Sequence, residues 1–268
     1  MTIGQLKRSI AETLECENSQ FEAQQIIQSA LGISRESYLL KMNDKVERSA
    51  VEKCMRMAER RNDGEPLYYI LGEAEFYSLP LKVSEKTLIP RQDSELIVDL
   101  AVGYAKDHTV RKACDLCSGT GAIGIAFHTE SGVETDCVEL YDAYDILSEN
   151  CEKYGCNAIR ADALKFDLSE YDIITCNPPY IAESERKTLS LEVLKEPETA
   201  LFAEDDGLYF YKKIAKKPKS GSFIVFEIGY KQADAVSEIL KINNYENITV
   251  HYDLCGNARA VTGLRKVD

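Results

Sequence analysis

The chain is 268 residues long, 44% hydrophobic and 29% charged. This is ordinary globular composition; it excludes a disordered chain and leaves room for one large α/β domain with a smaller companion. Its 32 basic and 45 acidic residues give a formal charge of −13, which argues against a duplex-DNA binder with a basic face.

No apolar run reaches the roughly 20 residues of a membrane helix. The first residues, which mix apolar and charged positions, do not read as a signal peptide. The expected location is the cytoplasm, with no membrane partner. Nine cysteines, odd in number and irregular in spacing, read as reduced thiols. The single C-x-x-C, Cys114 to Cys117, lacks the second pair that would complete a zinc site, so no metal is expected.

Residues 1 to about 62 predict a helical bundle. Ile3, Leu6, Ile10 and Leu14 recur at helical spacing, followed by Phe21, Ile26, Ile27 and Ala30 up to Gly32, then Val51, Cys54, Met55 and Ala58. The turn Asn62-Asp63-Gly64 closes it. The following YYILGEAEFYSLPLKVS reads as two short runs forming a β-hairpin or extended connector. Beyond Pro90, strands alternate with amphipathic helices: strands at 113–117, ETDCVEL, 171–176 and SFIVFEIG, with helices between them. Two short strands follow near 248–252 and 259–264. The pattern predicts an α/β fold, a Rossmann-like and mostly parallel sheet with helices on both faces. The expected division is a helical domain over 1–64, a hairpin connector over 65–86 and a catalytic domain over 87–268.

In such a sheet the ligand sits beyond the carboxyl ends of the strands, and three segments there carry chemistry. The first is DLCSGTGAIGIA, a strand running through a small-residue loop into a helix. Gly119 and Gly121 allow close approach of a ligand to the backbone; a plain tight turn is the alternative. The second is Glu139, about 20 residues further on. At a strand end it can accept from both hydroxyls of a ribose, or stand as a solvated carboxylate. Loop and acid together point to an adenosine-type cofactor, although the loop lacks the full G-x-G-x-x-G fingerprint of nicotinamide enzymes. The third segment is Asn177-Pro178-Pro179-Tyr180, directly after a strand. Two prolines stop the strand and stiffen the loop. The Asn177 side-chain carbonyl and the Pro178 backbone carbonyl can accept from a planar NH2 group, and Tyr180 offers a face to pack on it. An amide and an exocyclic base amine present the same geometry to this tetrapeptide, which alone does not separate them.

Loop, acid and Asn-Pro-Pro-Tyr in this order resemble the class I S-adenosylmethionine-dependent methyltransferases that act on amide or exocyclic nitrogen. GEPLYYILGEAEFYSLPLKV (64–83), TLIPRQDSE (87–95), NPPYIAE (177–183), EPETALFAEDDGLYFYKKI (196–214) and DLCGNARAVTG (253–263) resemble, more closely, the bacterial peptide chain release factor glutamine methyltransferases of the HemK/PrmC family. The resemblance spans nearly the whole chain. It implies N5-methylation of the glutamine in the Gly-Gly-Gln motif of class I release factors, with S-adenosylmethionine as donor and S-adenosylhomocysteine as product. By position, Cys117, Ser118, Gly119, Thr120 and Gly121 would line the methionine and ribose part of the cofactor. Glu139 would hold the ribose, Asp162 and Ala163 would border the adenine, and Asn177 would touch both cofactor and substrate. Pro178, Pro179 and Tyr180 would complete the amide pocket, with Asn177, Pro178 and Tyr180 as the catalytic group. The helical domain would grip the release factor.

The alternative is a nucleic-acid amino-methyltransferase acting on adenine N6, cytosine N4 or guanine N2. The acidic balance, the helical N-terminal domain and the extended family motifs disfavour it. Cys117 stands where the family usually has glycine; an ordinary backbone conformation is expected for it. Arg91 and Glu95 resemble family positions as well, with a helix start as the equal alternative. Glu227, at another strand end, is placed at the rim without an assigned task.

Overall fold

A computed structural model describes residues 1–267 and divides into two compact units: Met1–Glu73 with Leu191–Lys195, and Ala74–Ser190 with Glu196 onward.

The first unit is helical: α1 (Ile3–Thr13), α2 (Ser19–Leu31), α3 (Arg35–Leu40), α4 (Arg48–Asn62) and α5 (Leu67–Leu71). Thr2 and Gln5 form a reciprocal capping box at the start of α1, satisfying two otherwise orphaned N–H groups. Leu6, Ile10, Ala23, Ile26, Ile27, Cys54 and Ala58 fill the core. Phe21, expected inside, is instead 52% exposed: it precedes Ala23 by two positions, about 200° around a helix, and so faces away from the Ala23–Ile26–Ile27 stripe. In the core's wall, Arg61 donates to both oxygens of Glu22 at 2.7 and 3.1 Å and pairs with Glu192 at 2.6 Å.

The run Tyr68–Leu71, expected as strand, is helix α5. Pro66 caps its start and left-handed Gly72 ends it, while Leu67 and Ile70 pack into the helical core, so tertiary packing overrides the β-propensity of Tyr and Ile. The helical unit therefore extends to Glu73, past the expected boundary at 64.

The hairpin itself is β1 (Glu73–Phe76) and β2 (Leu79–Lys82). Next come α6 (Glu95–Asp107), β3 (Lys112–Leu116), α7 (Ala122–Ser131), β4 (Glu134–Glu139), α8 (Tyr144–Tyr154), β5 (Asn157–Arg160), β6 (Ile173–Cys176) and α9 (Glu198–Leu201). The chain closes with α10 (Tyr209–Ile214), β7 (Phe223–Glu227), α11 (Ala233–Ile242), β8 (Tyr245–Tyr252) and β9 (Ala258–Arg265). The large sheet has the order β5-β4-β3-β6-β7-β9-β8. Its first five strands are parallel, and β9 runs antiparallel to both β7 and β8.

Period-two alternation divides each strand between two cores. Cys114, Leu116, Ile174, Cys176, Ile224 and Phe226 pack with Tyr211, Ile214, Val236 and Leu240 of α10 and α11. Ala113, Cys137, Ile173 and Val225 pack with Ile97, Ala101, Ile125 and Leu147 of α6, α7 and α8. Both faces are covered, as near-continuous apolar strands require. No helix among the described residues is long and apolar enough to cross a membrane.

Candidate active site

Strand order reverses at β3: β4 and β5 lie on one side and β6 and β7 on the other. The crevice beyond their carboxyl ends is the expected ligand position. Register makes this a single row. Leu116 pairs with Val138 and with Cys176, Cys176 with Phe226, and Glu139 with Arg160. One step onward the row reads Arg160, Glu139, Cys117, Asn177, Glu227, and Glu227 pairs with Ala260 of β9. Neighbours in this row, such as Cys117 and Asn177 or Asn177 and Glu227, lie 50 to 60 residues apart in sequence.

The loop after β3 is tied down from both sides. Ser118 N–H donates to the Val138 carbonyl at 3.1 Å and Gly121 N–H to the Ser118 carbonyl at 2.7 Å, while Ser118 Oγ donates to the Asp115 carbonyl at 2.7 Å. Gly119 and Gly121 have φ of 55° and 84°. A Cβ on Gly121 would lie 2.7 Å from Ile125 Cδ1 and 2.8 Å from Leu147 Cδ1, so the glycine seats α7 against α8. Beneath the loop, buried Asp115 accepts from Thr175 Oγ1 at 2.7 Å and from Gly124 N–H at 3.3 Å. Burial pushes its carboxyl up to about 6, against the pull of these donors.

Cys117 does not take the ordinary conformation expected of it. Its φ is 57°, in the left-handed region that costs a non-glycine residue about 1–2 kcal/mol. The thiol tucks against the core that holds buried Cys176, whose own thiol is pushed up by burial first and then by the Cys117 thiol. Relief of this strain outweighs the entropy cost of glycine, about 0.5–1 kcal/mol. Cys117→Gly is therefore expected to melt no lower than the natural chain. Cys117→Val, β-branched at positive φ, should melt several degrees lower. A thermal denaturation series of the three proteins checks this ordering.

Glu139 accepts three backbone N–H bonds: Gly119 to Oε2 at 3.0 Å, and Leu140 and Tyr141 to Oε1 at 2.8 and 3.1 Å. They fix the carboxylate over the loop, and Oε2 keeps a free lone-pair direction for a further donor. Asp162 closes its own turn by accepting from Leu164 N–H at 2.9 Å.

An open cleft runs over this row, lined by Cys117, Gly119, Glu139, Asp162, Ala163, Asn177 and Pro179 among others. A smaller cavity opens on the other side of the loop, lined by Cys117, Ser118, Gly119, Thr120 and Asn177 together with Phe76, Pro90 and Arg91. Cys117, Gly119 and Asn177 border both. The side-chain amide of Asn177 takes no protein partner among the described residues and lines both spaces. Of the other expected residues, Gly121 caps α7. Pro178 is buried, and Tyr180 turns its phenol toward Glu227, 3.4 Å away.

Sequence reasoning missed several walls of the cleft: Leu140 and Tyr141 after β4, Leu164, Phe210 on α10, and Thr199 and Ala200 on α9. Leu140 and Tyr141 are exposed apolar residues immediately after the ribose-type acid, which was a readable signal. Arg91 and Glu95 part company. Arg91 pairs with buried Glu196, which also accepts from Ile89 N–H at 2.9 Å, tying the loop before α6 to the segment leading into α9. Glu95 accepts from Tyr77 N–H at 2.9 Å and anchors the hairpin.

The sheet order, the glycine loop at its switch point and the acid on the neighbouring strand define a class I methyltransferase fold. The crystallised catalytic domain of hMettl16 superimposes with a TM-score of 0.57 at 18% identity, covering 83% of each chain. Residues 5–72 match the PrmC N-terminal domain and residues 94–208 the methyltransferase small domain. The release factor glutamine methyltransferase of Clostridium botulinum is 34% identical over 90% of this chain and 90% of its own. That of Vibrio cholerae is 36% identical over 87% and 85%. The chain belongs to the release factor glutamine methyltransferase family and is a methyltransferase.

Proposed function

We propose that the protein transfers a methyl group from S-adenosylmethionine to the side-chain amide nitrogen of the glutamine in the Gly-Gly-Gln motif of class I peptide chain release factors, in the cytoplasm. The observation that carries this reading is the place of Asn177: at the end of β6, on the rigid Pro-Pro loop, bordering both the large cleft and the smaller cavity. The residues present fit the cofactor. The floor of the cleft is glycine backbone, and Glu139 is held with acceptor capacity to spare.

When bound, S-adenosylmethionine supplies an electrophilic methyl group on a sulfonium. Cys117 to Gly121 would line its methionine and ribose part, Glu139 would accept the ribose hydroxyls, and Asp162 and Ala163 would border the adenine. An amide nitrogen is a poor nucleophile because its lone pair is delocalised. The Asn177 carbonyl and the Pro178 carbonyl can each accept one amide hydrogen, turning the remaining lone-pair density toward the donor. The work is positioning and electrostatics more than strong-base catalysis. No histidine lines either cavity, and the proton released on methylation leaves to solvent. The helical unit through Glu73 would grip the release factor, the hairpin that follows would connect, and the sheet domain would carry the transfer.

The test is incubation with methyl-labelled S-adenosylmethionine and three acceptors: unmodified release factor, its Gly-Gly-Gln glutamine→alanine variant, and unmethylated DNA. Label is expected on the first alone. Label on DNA with none on release factor would replace the amide acceptor by a base amine.

A further inference from the structure

Glu227 ends β7 beside Asn177 in the row across the sheet, and it is only 2% exposed. A buried carboxyl calls for partners. Ser94 Oγ donates to Oε2 at 2.5 Å, and the Tyr180 phenol donates to Oε1 at 3.4 Å. Tyr180 is also held at its other end, where Gln232 Nε2 donates to its carbonyl at 2.9 Å while Gln232 Oε1 accepts from Gly229 N–H at 3.0 Å. The last residue of the Pro-Pro loop is thus fixed by the end of β7 and the turn that follows it.

We propose that Glu227 is a positioning residue for methyl transfer: its ionised carboxylate tethers the Tyr180 phenol and thereby holds Asn177 and the Pro178 carbonyl in line with the acceptor nitrogen. The proposal rests on the methyl-transfer reading above. A carboxylate accepts from Ser94 and Tyr180 at once. A protonated carboxyl carries a hydrogen of its own, which competes with the phenol hydrogen across Oε1 and loosens the tether.

The surroundings set where this happens. Burial raises the Glu227 carboxyl to about 7, opposed by the Ser94 bond, the Arg259 guanidinium and the Tyr180 bond and assisted by Asp93. Arg259 is shared with Asp93 at 2.9 Å and Asp253 at 3.0 Å, so its charge is largely spent. Burial also pushes the Tyr180 and Tyr211 phenols well up. Both remain donors throughout the working range, and Tyr211 gives its proton to the Glu227 backbone carbonyl at 2.8 Å.

The experiment measures kcat and the KM for S-adenosylmethionine of the full chain on unmodified release factor from pH 5.5 to 9. It compares the natural protein with Glu227→Gln, Tyr180→Phe and the double variant. The natural kcat is expected to rise through an ionisation near pH 7. Glu227→Gln loses that limb and falls on the order of tenfold at pH 8.5 with KM nearly unchanged, the signature of a transition-state-only effect. Any limb from Asp115, near 6, stays. Tyr180→Phe falls by as much and loses the same limb, because without the phenol the ionisation of Glu227 has nothing to tether. The double variant falls no further.

A natural-like inflection in Glu227→Gln, or losses that multiply in the double variant, would overturn the tether while leaving the transfer reading intact. Should Glu227→Gln not fold, a retained inflection near pH 7 in Tyr180→Phe overturns it equally. No label on release factor from the natural protein at any pH would overturn the acceptor assignment and the tether with it.

Discussion

Asn177→Ala is expected to lower kcat for release factor methylation about 10²–10³-fold, the scale seen when one preorganised polar group is removed from a transition state. The dissociation constant for S-adenosylmethionine should move by no more than about threefold, or roughly 0.7 kcal/mol. The asymmetry follows from geometry. Cofactor affinity is spread over the loop Cys117–Gly121, Glu139 and the walls of the cleft, and Asn177 is one wall residue among many. The acceptor amide has far fewer partners, and loss of the Asn177 carbonyl leaves one of its hydrogens undirected. Stopped single-turnover kinetics separates the two quantities, and calorimetric titration with S-adenosylmethionine gives the second directly. A variant in which both change equally little would remove Asn177 from the positioning role. Pro178 and Pro179 make the prediction sharp, because a loop with two fixed φ angles cannot readily bring a neighbour into the gap.

Much of this architecture was legible because buried parallel strands leave a strong trace. FIVFE is a short apolar run bounded by turns, and KACDL and ETDCVE are short turn-bounded segments around Ala-Cys and Cys-Val; each is an interior strand. β5 left no such trace: Asn157–Arg160 is an edge strand of four residues, none of them fully buried. Tyr68–Leu71 carried the wrong trace, since aromatic and β-branched residues favour strands until a bundle offers them a better-packed helix.

At the site, motif residues were readable one by one, but their relation was not. That Glu227 stands beside Asn177 is a fact of register, and register depends on which strands pair, not on either strand's own sequence. The left-handed Cys117 illustrates the same limit. Its residue type argued for an ordinary backbone, while the turn between β3 and α7 dictated φ, and the cost is borne locally where a ligand must approach the main chain.

Gly207 extends this to a residue whose importance no local rule announces. It lies in the turn before α10 with φ of 80°, and a Cβ there would stand 2.0 Å from the Tyr180 carbonyl oxygen and 2.6 Å from Gln232 Nε2. Such a contact cannot be absorbed by a side-chain rotation, because the obstacle is the backbone of the Asn-Pro-Pro-Tyr loop itself. Gly207→Ala must therefore push Tyr180 away and break the 2.9 Å bond from Gln232.

Gly256 provides the matched comparison. Its φ is 82°, and a Cβ there meets nothing within 4 Å, so Gly256→Ala carries the backbone strain alone, about 1–2 kcal/mol. Gly207→Ala is expected to lose at least about 3 kcal/mol, in the range of overpacked and strained sites. Its melting temperature should fall correspondingly further, on a scale of about 2–4 °C per kcal/mol for a domain of this size.

Activity should separate the pair more widely still. A shift of about 1 Å at Asn177 suffices for a loss near 10²-fold, whereas Gly256→Ala should keep kcat within about twofold. Thermal melting and initial rates on the same two preparations decide it. Equal behaviour of the two variants would mean that the Tyr180 carbonyl is free to yield, and that the loop is held less tightly than Gln232, Glu227 and the two prolines together imply.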